Sequence, residues 1–181
     1  MPSGRNADGG RLSGPTSKPK LPVDLRNVMR YFASGVTVVT SALDTGEPFG
    51  LTVTAFTSVS LDPPLVLVCI RNESSAASLL KKSRRYCVNI LSSGQKDISD
   101  RFSLAGESRR FDGLEYRVGR VGNPIIGGCI GHIDCKVVRV TVLGDHTVFV
   151  GEALDIQAAR AEPLLYLDRK YALLAPGGHP G

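Results

Sequence analysis

The chain has 181 residues, 42% of them apolar and 22% charged, which suits one domain whose core needs no disulfide or metal staple. Of the formal charge of +5, residues 1–20 hold +3, from Arg5, Arg11, Lys18 and Lys20 against Asp8. The remainder is mildly basic, enough to draw a phosphate-bearing small molecule but without the stripe of a nucleic-acid binder. No apolar run reaches the roughly 18 residues of a membrane span, and the start lacks a secretory leader's apolar stretch, so a cytoplasmic protein is expected.

Residues 1–20, rich in Gly, Ser, Pro and basic side chains, read as a flexible tail, and 176–181 as a flexible end around a domain over 21–175. Asp24 is positioned to cap a helix with Leu25, Val28, Met29 and Phe32 at i, i+3, i+4 and i+7, ended by Gly35. Strands rich in β-branched residues follow over 37–41, 52–60, 65–70 and 86–91. Between the last two, Ser74 or Ser75 opens a short helix carrying Ala76, Ala77, Leu79 and Leu80. A second short helix is expected over 95–102, then a Gly- and charge-rich loop over 103–113. Strands resume over 130–142 and 147–153, with a last one near 171–174. Many strands and three short helices on one core imply a mainly β barrel with helical decorations.

Cys69 and Cys87 lie in apolar runs and read as small hydrophobes; Cys129, His132 and Cys135 do not match a zinc knuckle, so no metal site is expected. The most informative segment is 49–70. It places Thr52, Thr54, Thr57, Ser58 and Ser60 between apolar residues and ends its first half in a rigid corner at Asp62-Pro63-Pro64. Hydroxyls and free backbone groups on a stiff bend suit the polar edge of a flat heterocycle; a Thr/Ser-rich strand with an ordinary turn fits the same pattern. Ser74, Ser75 and Ser78 at a helix start form either a phosphate cradle or simple caps. His146, in Gly144-Asp145-His146, reads as a hairpin-loop residue. Dinucleotide, P-loop, H-E-x-x-H and G-x-S-x-G signatures are all missing.

Taken in order, these segments resemble the short-chain flavin reductase family of the FMN-binding split-barrel fold, whose members include reductase components of two-component monooxygenases. The matching pieces are 32–40, 52–68 with its S-L-D-P-P-L-V-L core, 87–91, 95–102, 144–152 and 163–171. The resemblance implies an NAD(P)H-dependent flavin reductase: hydride passes from NADH or NADPH to FMN or FAD, and reduced flavin goes to a separate monooxygenase. It also implies a homodimer. Other readings within reach are a tightly bound flavoprotein serving another acceptor, or a non-catalytic flavin-binding module.

By the same resemblance, Thr52, Val53, Thr54, Ala55, Phe56, Thr57, Ser58, Ser60, Leu61, Asp62, Pro63 and Pro64 line the isoalloxazine and ribityl chain. Ser74, Ser75 and Ser78 face flavin phosphate or adenylate, His146 lies near the nicotinamide as the catalytic residue, and Tyr166 and Tyr171 border the pyridine nucleotide. The chain departs from the pattern at T-V-T-A-F, where many relatives carry a Ser-Ser pair, and at 167–170, where relatives are often Gly-rich.

Overall fold

The computed structural model describes residues 24–104 and 109–175. The expected tail over 1–20, the terminal stretch 176–181 and the middle of the 103–113 loop lie outside the described residues. Helix α1 (Leu25–Met29) is followed by strands β1 (Ser34–Gly35), β2 (Thr37–Ala42), β3 (Pro48–Val53), β4 (Phe56–Leu61) and β5 (Pro64–Arg71). Next come α2 (Ser75–Ser83), β6 (Arg85–Ile90), α3 (Lys96–Ser103), β7 (Tyr116–Val118) and β8 (Pro124–Ile126). The long hairpin β9 (Gly131–Leu143) and β10 (His146–Ala158) precedes a small one, β11 (Leu165–Leu167) and β12 (Lys170–Ala172).

Seven strands form one antiparallel sheet in the order β3-β2-β6-β9-β10-β5-β4. Its edge strands β3 and β4 are consecutive in sequence, and the sheet curls until β3 lies against β5. Bulges in the β9–β10 ladder and at Ser58/Ser60 in β4–β5 add the local twist that curling needs. The result is a mainly β barrel left open along the β3/β4 seam, as the resemblance implies.

The barrel interior holds Val39, Val53, Val68, Leu80, Tyr86, Val88, Val137 and Phe149. A second cluster, of Val36, Val38, Leu91, Phe102, Ile126 and Leu164, packs on the other side of β2. That is why every residue of β2 is buried. Its buried hydroxyls have partners: Thr37 Oγ1 donates to the Val53 carbonyl at 2.6 Å.

The sequence pattern needs several corrections. The run 52–60 is not one strand: β3 ends at Val53 and β4 starts at Phe56, because the chain crosses from one edge of the sheet to the other at Thr54-Ala55. Helix α1 is capped by Asp24, whose Oδ1 accepts from Arg26 N–H at 3.0 Å. It stops before Phe32 and buries none of its own residues, since its apolar side chains point away from both clusters. Gly35 joins β1 instead of ending a helix. Pro64 sits on the last rung of the β4–β5 ladder, opposite Leu61, so the rigid corner is not free of the sheet. His146 begins β10 instead of lying in a loop; the turn is Gly144-Asp145, with Gly144 at φ 59°. Among the described residues no helix is long and apolar enough to cross a membrane.

Candidate active site

The seam opens into a cleft of about 930 Å³. Thr52 and Thr54 from the β3 edge, Ser74, Ser75 and Ala76 from the start of α2, and Tyr166 and Tyr171 from the small hairpin all line it. The wall under these polar groups is supplied by Val36, Leu51 and Phe102. A neighbouring groove of about 430 Å³ runs along the other side of the seam, lined by Thr54, Ala55, Phe56 and Thr57 with Met29, Phe32 and Leu67. Thr54, Tyr166 and Arg169 border both spaces.

At the seam the backbone is left with free donors. The Thr54 carbonyl accepts from Phe56 N–H at 3.0 Å and the Ala55 carbonyl from Cys69 N–H at 3.0 Å. The N–H groups of Thr54 and Ala55 lie between the last β2–β3 rung, Thr37 opposite Val53, and the first β4–β5 rung, Phe56 opposite Val68. Neither donates within the described residues. Unpaired amides of residues that line a cavity are available to a ligand's acceptor edge.

The start of α2 is a second polar feature. Ser74 is the N-cap residue with extended backbone, yet its hydroxyl makes no capping bond, and the first-turn amides of Ser75 and Ala76 have no helical acceptor. Together they suit an anion. Arg71, Arg110 and Arg169 line the same cleft, against Glu73 and Asp100. Arg110 is committed to the protein, donating to the Gly50 carbonyl at 2.7 Å and also to the Leu104 carbonyl.

The far wall is braced by Tyr171, whose hydroxyl bonds Ser99 Oγ at 2.9 Å and Asp100 Oδ1 at 2.6 Å. Its ring packs edge-on against Tyr166 at 5.7 Å and lies 5.8 Å from the Lys96 ammonium. Burial, with the neighbouring Asp100 carboxylate, raises the Tyr171 phenol above its ordinary value. Thr52 Oγ1 donates to the Ser99 carbonyl at 2.7 Å, so its proton is used internally.

The residues singled out from sequence therefore separate by place. Thr52, Thr54, Ala55, Phe56, Thr57, Ser74, Ser75, Tyr166 and Tyr171 meet at the cleft and groove. Val53 is a core residue facing the barrel interior. Ser58, Ser60, Leu61, Asp62, Pro63 and Pro64 run out along the β4–β5 hairpin, where Leu61 is 91% exposed. Ser78 turns its hydroxyl back to the Ser75 carbonyl at 2.8 Å.

His146 stands opposite Arg71 in the β5–β10 ladder, so it neighbours a cleft residue without lining the cleft. Its Nδ1 lies 2.8 Å from Asp145 Oδ1, and that contact holds the Asp145 carboxyl below its ordinary value. The ionised carboxylate accepts, which makes Nδ1 the donor and leaves Nε2 as an acceptor in the neutral ring. Sequence reasoning missed Arg71, Arg169 and Ser99: each ends a strand, turns a hairpin or sits mid-helix, and no local pattern marks it.

The four cysteines are unpaired. Burial pushes Cys129 up to about 11 and Cys135 up to about 12, so both are protonated and inert near neutrality. Among the described residues no group of His, Cys, Asp or Glu is arranged to hold a metal ion.

Comparison with known proteins gives this geometry its setting. The chain is 38% identical over 158 residues, 86% of its length and 83% of the relative's, to a flavin-dependent monooxygenase reductase subunit of Mycobacterium tuberculosis. It superposes at a TM-score of 0.81 on the nitrilotriacetate monooxygenase component B homologue of Mycobacterium thermoresistibile, with 36% identity over 86% of this chain and 88% of that one. The NADH:FAD oxidoreductase of Streptomyces globisporus, solved with NAD and FAD fragments, gives 0.80 with 34% identity over 86% and 93%. A sequence model of the flavin reductase like domain matches residues 29–175, and the chain belongs to that family.

Proposed function

We propose that this chain is an NAD(P)H:flavin oxidoreductase that passes hydride from NADH or NADPH to FMN or FAD and supplies the reduced flavin to a separate monooxygenase. The observation that carries the reading is the pair of undonated N–H groups at Thr54 and Ala55, set on the seam between an apolar-floored cleft and a groove. Relatives support it: an NADH-dependent FAD reductase of Streptomyces globisporus and an FMN reductase (NADH) of Agrobacterium fabrum.

The residues fit a flavin. Thr54 and Ala55 amides would meet the polar edge of the ring, and Ser74, Ser75 and Ala76 would meet its phosphate. When bound, the flavin supplies the redox chemistry, accepting two electrons as hydride from the nicotinamide. The chain's own task is to hold two flat rings in contact, at roughly 3–3.5 Å, and to exclude water from between them. The Thr54 N–H shares a peptide plane with the Val53 carbonyl, held by Thr37, and the Ala55 N–H with the Thr54 carbonyl, held by Phe56, so both donors are pre-oriented and would stabilise negative charge on the ring edge they face. The Thr52–Ser99 and Tyr171–Asp100 bonds keep the walls from collapsing into the empty volume.

In this reading the hairpin from Ser58 to Pro64 supports the flavin-facing strand from outside, and Ser78 steadies the first turn of α2. His146, one rung from the cleft residue Arg71 and with Nε2 left as an acceptor by Asp145, would help position the nicotinamide at the cleft rim. The functional unit is a homodimer. Leu25, Val28, Met29 and Phe32 are all more than half exposed, and Met29 and Phe32 edge the groove, so a second copy covers that apolar face. The free thiols and the need for reduced pyridine nucleotide support a cytoplasmic setting for the reaction.

The test is equilibrium titration of FMN and of FAD into folded protein, followed by flavin fluorescence. Saturable change with at least one flavin is expected, and no change with either refutes the reading.

A further inference from the structure

The β11–β12 turn is made by Asp168 and Arg169, at φ 50° and 63°, a left-handed pair that suits Asn-Gly and strains other residues. Asp168 has its compensation: its carboxylate pairs with Arg30 Nε, and its N–H donates to the Arg30 carbonyl at 2.7 Å. Arg169 has none. Among the described residues its side chain makes no hydrogen bond or ion pair, and glycine would serve the turn better.

Its position supplies the reason. Arg169 borders both the cleft and the groove, at the junction marked by Thr54 and Tyr166. The same cleft receives Arg71, whose side chain also lacks an ion pair among the described residues, and the uncapped α2 start at Ser74. Arg110, by contrast, gives both terminal nitrogens to backbone carbonyls, and only its buried Nε is without a partner among the described residues. A positive-φ turn residue that borders a cavity with other anion-binding groups, and whose exposed side chain has no partner among the described residues, marks a site where backbone strain is kept for a ligand.

We propose that Arg169 is a specificity-determining residue that binds a phosphate of the nucleotide cofactor, opposing the anion-binding start of α2. The inference rests on the cleft being the nucleotide site. Phosphate, pyrophosphate and 2′-phosphate share the required chemistry, and the cofactors that carry them can be told apart by kinetics.

The experiment compares wild type, Arg169→Gly and Arg169→Lys. Without ligand, Arg169→Gly should raise the melting temperature by about 2–4 °C, since glycine relieves the turn, while Arg169→Lys leaves it unchanged. Inorganic pyrophosphate should raise the melting temperature of wild type, and that shift should at least halve in Arg169→Gly. In steady state, Arg169→Gly should raise KM about tenfold for one cofactor class with kcat within twofold. A rise for both flavins assigns the FMN phosphate, for FAD alone its pyrophosphate, for NADPH alone the 2′-phosphate, and for both pyridine nucleotides their pyrophosphate. Unchanged KM for all four together with an undiminished pyrophosphate shift overturns the proposal. If wild type reduces no flavin yet shows an Arg169-dependent pyrophosphate shift, the enzyme reading fails and the anion site stands.

Discussion

Thr52 Oγ1 donates a 2.7 Å hydrogen bond to the carbonyl of Ser99, joining the open edge of the barrel to α3 beside the cleft. An edge strand has one free side, and this bond holds β3 where its continuation, Thr54-Ala55, can turn across the seam. Thr52→Val keeps the shape and removes the donor. It should cost about 1 kcal/mol of stability and raise the apparent Kd for flavin several-fold. Urea denaturation and flavin titration of the variant check both; an unchanged flavin Kd removes Thr52 from the positioning role.

Gly151 of β10 packs directly on Tyr86. A Cβ at Gly151 would lie 2.6 Å from the Tyr86 hydroxyl oxygen and 2.8 Å from Cys135 Cβ. Tyr86 cannot retreat easily, because its hydroxyl reaches the Val66 and Phe149 carbonyls at 3.3 Å each in the barrel interior. Gly151→Ala should therefore destabilise by about 1–3 kcal/mol through overpacking. The double variant with Tyr86→Phe should lose less than the sum of the two single losses, which a double-mutant cycle measures.

Stability should fall at alkaline pH. The thiols of Cys129 and Cys135 are pushed from 9.0 to about 11 and about 12 by burial, and the buried Cys87 moves in the same direction. Folded values above the unfolded ones mean that the unfolded chain loses these protons first. The contribution is complete below about pH 9 and drains away as pH rises toward 11–12. The urea midpoint should be level from pH 7 to 8.5 and lower at pH 10.5, and Cys135→Ala should flatten that slope. A midpoint unchanged at pH 10.5 contradicts the burial argument.

His146→Ala should raise KM for NADH about three- to tenfold and leave the flavin Kd within twofold. His146 neighbours the cleft through Arg71 but contributes nothing to the seam or the α2 start. Asp145→Asn should act in the same direction and more weakly, because it removes the partner that keeps Nε2 an acceptor. Unchanged NADH kinetics in His146→Ala would withdraw the nicotinamide role.

Period-2 runs of Val, Ile and Thr announced β2, β5, β6, β9 and most of β10, because those strands face a core on at least one side. The break at Thr54-Ala55 was not legible: the hydroxyl and apolar residues continue through it, and only the non-local pairing of β3 with β2 and of β4 with β5 defines it. The helix periodicity at Leu25, Val28 and Met29 was real but pointed away from this chain's own core. The short strands β1, β7, β8 and β11 carry two or three residues each, too few for any period to register. In the site, Ser74 and Tyr171 came from local patterns and the family resemblance. Arg71 and Arg169 came only from the fold, which gathers a strand end and a hairpin turn from distant parts of the sequence.

The decisive measurement is the rate of NADH and NADPH oxidation by purified full-length chain as FMN or FAD is raised from zero. A negligible rate without added flavin that climbs to saturation with at least one flavin is the expected result. Oxidation that ignores flavin concentration, or none at any concentration, contradicts the assignment of the seam as a flavin-reducing site.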